Sequence, residues 1–376
     1  MDTLITNIGQ LITPVEHVFD GGAYVLQVIQ DTSLCIQNGR IVDGLRTSRG
    51  EEGVQTVDAN GGVVMPGLVD PFWVMPNLPA WMSEVPESKV LGRDLHSWSR
   101  RLFHHALHSG ITSIEVKCPH DAEFLGLSTL GHLSRHDRPR VVGALLASLP
   151  VSGATRDRSM SSLIGEVIPE IRRRRLATFC DMGWDCQDAS IAETGVVLRA
   201  ASGAGLRPKV HIQASAQIND VCELALSLEA TAIACASHLP TDAAKRLSDA
   251  GTMPIYMPSL TSQTGEHLDV RPLVDQGAVI GIGSGNGWTA SPPISMWTAM
   301  AACMDRMELS LAEAIIACTA GNAAALDMQH EIGTLEVGKL ADLIVLDLVD
   351  YRELETALIS PPISMVVVNG QPVSSR

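Results

Sequence analysis

Eight short apolar segments alternate with helical patterns through the middle of this 376-residue sequence and restrict its fold more than any other feature. Apolar strands that alternate with helices are typical of parallel βα units. Eight such units favour a closed α/β barrel, the (β/α)8 TIM barrel, over an open sheet. Helices are predicted over 190–204, 295–307 and 311–326. The predicted strands are 63–69, 113–117, 141–146, 177–181, 209–212, 231–237, 253–257 and 279–282.

The two ends of the chain carry a different pattern, in which short β-like pieces alternate with turn signals. Asn38-Gly39 is a hairpin signal near the start, and Asn369-Gly370 is another near the end. We therefore predict that residues 1–64 and 330–376 together build a small β-subdomain. The (β/α)8 barrel is expected to occupy residues 65–329.

Composition and charge exclude several classes of function. The net charge is −15 at pH 7, and a field of that sign repels nucleic acids and anionic membranes. No apolar run approaches the roughly 18 residues of a membrane span, and the N-terminus lacks the pattern of a signal peptide. The eight cysteines form no Cys-x-x-Cys pair, so reduced thiols are expected. These features predict a cytoplasmic protein whose partner is neither nucleic acid nor a membrane.

Catalytic residues of a (β/α)8 barrel follow the C-terminal ends of its strands. His211 and His238 stand at such ends on successive predicted strands, which favours one shared site over two isolated core histidines. The other candidates at strand ends are Lys117, Cys118, His120, Asp181, Trp184, Gln213, Ser284 and Asn286.

Several segments also carry a family resemblance. They are PGLVD at 66–70, GITSIEVK at 110–117, TFCD at 178–181, PKVH at 208–211, ASHL at 236–239 and the tail at 333–347. The four segments from 110 to 239 resemble motifs of imidazolonepropionase, the amidohydrolase that opens an imidazolone ring in histidine degradation. PGLVD and the tail resemble amidohydrolases generally. The resemblance covers nearly the whole chain, and it implies an amidohydrolase barrel with hydrolase activity on a five-membered ring. Relatives in this superfamily are often dimers, so a homodimer is one expectation.

The resemblance breaks at the metal site. The family holds one divalent metal through His-x-His after the first strand, a His after the fifth and an Asp after the eighth. The corresponding residues here are Phe72, Val74, His211 and Gly285, so one of the four protein donors remains. A divalent ion needs about four donors at close range. We therefore predict that the metal is lost and that no cofactor replaces it.

The carried-over positions suggest roles for the remaining polar residues. Asp181, His211 and His238 are expected to perform acid–base chemistry. Cys118 is a candidate nucleophile, because the neighbouring Lys117 would lower its thiol pKa. Strand alternation leaves a second interpretation, in which Cys118 packs outside the barrel. Lys117 is equally expected to contact substrate or to pair with Asp181. The predicted substrate-binding residues are Lys117, His120, Gln213, Ser284, Asn286 and Trp184.

Loss of the metal leaves three functions open. In the parent reaction the metal polarises the carbon under attack and activates the water, so a metal-free enzyme needs a more reactive substrate. A 2-thioxo ring is one, and desulfurising hydrolysis of 3-(5-oxo-2-thioxoimidazolidin-4-yl)propionate would fit the degradation of ergothioneine by analogy with histidine. The alternatives are a metal-free hydrolase of another cyclic amide or hydantoin, and an inactive scaffold.

Overall fold

A computed structural model gives the fold of the chain. It describes residues 2–16, 24–44, 54–75, 97, 100–119, 126–128, 139–149, 154–184, 190–212, 217–235, 239–258, 269–287 and 294–375. For Trp184 it describes the backbone alone. Within these ranges, no helix is long and apolar enough to span a membrane.

The N-terminal residues form the first part of a small sheet. Its strands are β1 (Asp2–Glu16), β2 (Tyr24–Gln37), β3 (Arg40–Val42), β4 (Val54–Asp58) and β5 (Val63–Pro66). β1 and β2 pair antiparallel along most of their length. β4 and β5 each lie parallel to β1, on its other edge.

Eight parallel strands follow and build the barrel. They are β6 (Leu68–Val74), β7 (Ile111–Pro119), β8 (Arg140–Ala147), β9 (Phe179–Trp184), β10 (Arg207–Ile212), β11 (Ala232–Cys235), β12 (Met253–Tyr256) and β13 (Gly281–Ile282). They pair in chain order from β6 to β13, as successive βα units require. The predicted (β/α)8 barrel is confirmed.

The C-terminal residues return to the small sheet. β14 (Leu343–Leu346) pairs antiparallel with β5, and it is followed outward by β15 (Ile363–Val368) and β16 (Gln371–Ser375). Buried aliphatic side chains from both chain ends form one core under this sheet, among them Ile5, Ile36, Leu343 and Val367. The predicted β-subdomain of both chain ends is therefore confirmed, whereas the domain boundaries at 64 and 330 stay predictions.

Helices pack around the barrel strands. Three of them begin where the sequence predicted, because Ser190, Ser295 and Ser310 each accept a hydrogen bond from a backbone N–H of the first turn. The helical segments are Ala154–Ser162, Leu163–Val167 (π-helical), Ile168–Arg174, Ile191–Gly203, Ile218–Ser227, Thr241–Asp249, Arg271–Asp275, Met296–Arg306, Leu311–Ile316, Ala317–Gly321 (π-helical), Asn322–Ala325, Tyr351–Glu353 (3-10) and Leu354–Ala357, with a further helix over 100–108.

The first predicted barrel strand is divided between two sheets. The predicted strand 63–69 is two strands, because β5 lies in the small sheet and β6 begins the barrel. The chain changes sheets at Gly67, where a Cβ atom would lie 2.2 Å from the side chain of Thr112. β6 also runs past Asp70 to Val74, and a register shift between Asp70 and Trp73 accommodates the proline between them.

The barrel closes between its first and last strands through one amide side chain. Nδ2 of Asn322 donates to the carbonyls of Val69 (2.6 Å) and Ile282 (2.7 Å), and its Oδ1 accepts from the N–H of Ile282 at 2.9 Å. Further along the seam, the N–H of Val74 donates to the carbonyl of Asn286 at 2.7 Å. The predicted helix 311–326 contains a π-helical turn just before Asn322.

Candidate active site

The inside of the barrel carries ionisable side chains on four of its strands. Side chains two residues apart in a strand share a face. Two neighbouring pairs, one on β7 and one on β10, therefore point into the interior. Each is at most 3% exposed. These residues are Asp70 on β6, Glu115 and Lys117 on β7, Asp181 on β9, and Lys209 and His211 on β10.

His211 and Asp181 form a histidine–carboxylate pair near the C-terminal strand ends. Nδ1 of His211 lies 2.8 Å from Oδ1 of Asp181. Burial raises the pKa of Asp181, but the charge of Lys117 and the hydrogen bonds from Lys117 and His211 outweigh it and hold this pKa well below its ordinary value. An ionised carboxylate only accepts hydrogen bonds, so Nδ1 carries the proton. In the neutral form of the imidazole, Nε2 is then the basic nitrogen.

The position of the imidazole depends on a glycine in the neighbouring strand. Gly183 pairs in register with His211. A Cβ atom at Gly183 would lie 2.2 Å from Nε2 of His211, far inside contact distance. The absence of a side chain at position 183 therefore lets the imidazole ring lie against β9.

Lys117 is the central cation of this interior. Its Nζ lies 2.5 Å from Oδ2 of Asp181 and also contacts the carboxylate of Glu115. It lies 4.6 Å from the ring centroid of Phe72, in a cation–π arrangement. Burial lowers the pKa of Lys117, but the charges of Asp181 and Glu115 outweigh it and raise the pKa above its ordinary value. Lys117 is therefore a charged ammonium at neutral pH.

Glu115 joins Lys117 to a second ammonium. Its other carboxylate oxygen contacts Nζ of Lys209, which lies 3.8 Å from the ring centroid of Phe179. Burial lowers the pKa of Lys209 to about 8, against the opposing effect of Glu115. The four residues Lys209, Glu115, Lys117 and Asp181 thus form a continuous chain of alternating charge, which ends at His211.

Asp70 lies in the same interior but binds backbone groups. Its Oδ1 accepts hydrogen bonds from the N–H groups of Phe72 and Ser284, both at 3.2 Å. Complete burial raises the pKa of Asp70 to about 6, although the hydrogen bonds from Ser284 lower it. A carboxyl group with this pKa changes its charge close to neutral pH.

The residues present do not fit the metal site of the family. Phe72 and Val74 are buried in an apolar cluster with Ala234 and Met257, and Gly285 has no side chain. The Phe72 ring lies edge-on to the imidazole of His211, with 5.9 Å between the ring centroids. Within the described residues, no three or more His, Cys, Asp and Glu side chains are grouped so as to hold a metal ion.

The structure brings Lys117, Asp181 and His211 together, but not Cys118. Cys118 follows Lys117 and therefore points to the opposite face of β7. Its Sγ lies 3.9 Å from Sδ of Met75, in the apolar layer outside the barrel. The structure therefore favours the second interpretation of Cys118, in which alternation along the strand turns the thiol to the outside of the barrel.

Ser284 and Asn286 lie at the barrel seam. Oγ of Ser284 is 3.4 Å from the carbonyl of Phe72 and accepts from the N–H of Asn286. The amide group of Asn286 donates to the carbonyl of Ile294 and accepts from its N–H, both at 2.8 Å. These contacts join Asn286 to Ile294. Of the other predicted residues, His120, Gln213 and His238 lie outside the described residues, as does the side chain of Trp184.

Sequence reasoning missed three residues of this interior. Glu115 and Lys209 each stand two positions before a residue that was singled out, Lys117 and His211, so strand period could have found them. Gly183 carries no such signal, because only the register between β9 and β10 places it beside His211.

Comparison with known proteins shows what this chain is similar to. Residues 195–373 match the model of the amidohydrolase family. The imidazolonepropionase of Deinococcus radiodurans is 28% identical over 98% of this chain and 99% of its own length. The imidazolonepropionase of Alkaliphilus oremlandii is 24% identical over 92% of both chains.

Solved structures give the same fold. Escherichia coli guanine deaminase superposes with a TM-score of 0.73 at 16% identity, over 100% of this chain and 99% of its own. A zinc-bound adenosine deaminase from Xanthomonas campestris gives a TM-score of 0.72 at 20% identity, over 99% of this chain and 92% of its own. At these identities the likeness concerns the fold.

Proposed function

We propose that this chain, an imidazolonepropionase-like amidohydrolase and a hydrolase, works without a divalent metal on a five-membered imidazolone-type ring that bears a propionate. The preferred substrate is the 2-thioxo analogue, 3-(5-oxo-2-thioxoimidazolidin-4-yl)propionate. The relatives named above are imidazolonepropionases over their full length, which supports the ring and its propionate. The thioxo group and the link to ergothioneine degradation are inferred from chemistry.

The observation that carries the proposal is the pair of His211 and Asp181 in a barrel whose metal-ligand positions hold Phe72 and Val74. The carboxylate of Asp181 orients the imidazole and stabilises it once it is protonated. His211 can therefore act as a general base without a metal-bound water. The buried ammonium of Lys117, next to Asp181, supplies positive charge beside this pair.

The reaction balances with water as the only co-reactant. Nε2 of His211 takes a proton from water as its oxygen bonds to C2 of the ring, and the electrons of the C=S bond move to sulfur. The thiolate of the tetrahedral intermediate takes that proton from His211 and leaves as hydrosulfide, while the new hydroxyl forms the C2 carbonyl and gives up its proton to the hydrosulfide. The products are the 2-oxo ring and hydrogen sulfide. The C=S carbon is polarisable and hydrosulfide is a good leaving group, so less electrophilic help is needed than for the C=N carbon of an imidazolone.

An assay of the purified, chelator-treated protein tests this proposal. The protein is incubated with the thioxo substrate and, in parallel, with imidazolone propionate, while ring absorbance and sulfide are followed. We expect sulfide release at a rate that chelation changes by less than about 2-fold, well below the effect of losing a catalytic metal. Activity that disappears on chelation and returns with Zn²⁺ would contradict metal independence. No turnover of either ring would favour another cyclic amide or an inactive scaffold.

A further inference from the structure

The helix 100–108, outside the barrel, carries two paired histidines on its exposed side. His104 and His108 stand at positions i and i+4, so their side chains lie on one face. Their imidazole rings stack, with 3.9 Å between the centroids and 25° between the planes. Two histidines at this spacing on a helix can bind one metal ion together.

A hydrogen bond fixes the ring of His108. Its Nδ1 lies 2.8 Å from the backbone carbonyl oxygen of His104. A carbonyl oxygen only accepts, so Nδ1 donates, and in the neutral imidazole the lone pair is on Nε2. Histidines that bind metals commonly donate their other ring nitrogen to a backbone carbonyl in this way. His108 is therefore oriented as an Nε2 ligand before any metal binds.

The buried side of the helix gives this pair a fixed support. Leu102, Phe103 and Ala106 are at most 5% exposed and pack in the main core. Just beyond the helix, the carbonyl of Ser109 accepts a hydrogen bond from Nε1 of Trp297 at 2.8 Å. Binding a metal therefore orders two side chains and no backbone, which keeps its entropic cost low.

The surroundings select the kind of ion. Arg100 and Arg101 are exposed on the preceding turn and repel cations, so charge alone does not hold an ion here. Imidazole nitrogen binds Cu²⁺, Ni²⁺ and Zn²⁺, whereas Mg²⁺ and Ca²⁺ prefer oxygen ligands. The part of the chain that the structure describes adds no third His, Cys, Asp or Glu donor, so water would complete the coordination.

We propose that His104 and His108 form a surface site for one divalent transition-metal ion, which binds Cu²⁺ more tightly than Ni²⁺ or Zn²⁺. His108 lies in the last turn of the helix, where the carbonyl end of the helix dipole favours a cation. The site is separate from the barrel interior. His108 precedes β7 (Ile111–Pro119), and Lys117 lies about 20 Å further along that strand.

Isothermal titration of chelator-treated protein with Cu²⁺, Ni²⁺ and Mg²⁺ tests the proposal. The wild type should bind one more equivalent of Cu²⁺ than the double variant His104→Ala/His108→Ala, bind Ni²⁺ at the same site more weakly, and bind no Mg²⁺ there. Each single variant should weaken Cu²⁺ binding at this site about 10-fold or more, because one of two donors is lost. Alanine is the best helix former, so the helix is retained.

His105 provides the matched control. It is exposed on the same helix, but adjacent positions of a helix do not face each other. His105→Ala should therefore change Cu²⁺ affinity by less than about 2-fold. Equal Cu²⁺ binding by the wild type and the double variant would overturn the proposal, and so would an equal loss in His105→Ala.

The inference does not rest on the proposed function. The double variant should release sulfide from the thioxo substrate at a rate within about 2-fold of wild type, because surface substitutions far from a site have small effects. Loss of turnover in the folded double variant would contradict the separation from the barrel interior. A wild-type protein that binds Cu²⁺ at this pair but leaves the thioxo ring intact would contradict the proposed function alone.

Discussion

Nδ1 of His211 lies 2.8 Å from Oδ1 of Asp181, and the other oxygen of that carboxylate lies 2.5 Å from Nζ of Lys117. One carboxylate therefore orients an imidazole and holds a buried ammonium. Loss of its charge would therefore disturb both groups.

Asp181→Asn should lower kcat about 1000-fold, because an amide can stabilise the wrong tautomer of His211 and no longer neutralises Lys117. The measurement is steady-state sulfide release on the thioxo substrate. Asp347→Asn serves as the control, since Asp347 is exposed and far along the chain in the small subdomain. An equal loss of kcat in both variants would contradict a catalytic role that is specific to Asp181.

Gly183→Ala should lower kcat about 10-fold or more, because the new Cβ would have to displace the imidazole of His211 and misalign the base. Its matched control is Gly165→Ala, where a Cβ would meet nothing within 4 Å. Folding of both variants is checked by circular dichroism. A Gly183→Ala enzyme with wild-type kcat would show that the imidazole does not need its present position.

Cys118→Ser should keep kcat within about 2-fold, because the thiol faces the apolar layer outside the barrel, away from a covalent role. Placing a hydroxyl in this layer should lower the free energy of unfolding by about 1 to 3 kcal/mol. Cys303→Ser, at another fully buried cysteine, should show a similar loss. Abolished turnover in a folded Cys118→Ser protein would restore the covalent mechanism.

Asp70 should make the stability of the protein depend on pH. Its folded-state pKa is raised to about 6 from an ordinary value of 3.8. The folded state therefore binds more protons than the unfolded state between these values, and stability falls as pH rises. The contribution of Asp70 to the free energy of unfolding should drop by about 3 kcal/mol from about pH 4 to pH 6.

Asp70→Asn should remove that pH-dependent component, because the amide resembles the protonated carboxyl and keeps an acceptor for Phe72 and Ser284. The two proteins are compared by urea unfolding across the pH range. A difference between wild type and variant that does not change with pH would contradict a raised pKa at Asp70.

Asn322→Ala should destabilise the barrel by about 3 kcal/mol, because three hydrogen bonds across the seam are lost and their buried backbone partners stay unpaired. Urea unfolding measures the change. Gln276→Ala removes one exposed side-chain hydrogen bond and should change stability by less than about 0.5 kcal/mol. Similar stability for both variants would mean that the seam is held elsewhere.

The sequence by itself determined the barrel, the small sheet of both chain ends and the residues that cannot bind a metal. Apolar strands alternate with helical patterns on a local scale, so their order along the chain predicts parallel units. The identities of Phe72 and Val74 alone show that these positions cannot bind a metal, because neither side chain has a donor atom. Strand period also indicated that Lys117 and Cys118 face opposite ways, which left the covalent role of Cys118 open until the structure placed its thiol.

Only the tertiary structure decided which charged residues meet. Lys209 pairs with Glu115, 94 positions away, and Gly183 lies beside His211 through the register of two strands. Such contacts depend on barrel closure and on strand register, and neither property is encoded within a short window of sequence. The buried chain of alternating charge is therefore a property of the closed barrel, in which distant strands bring each ammonium to its carboxylate.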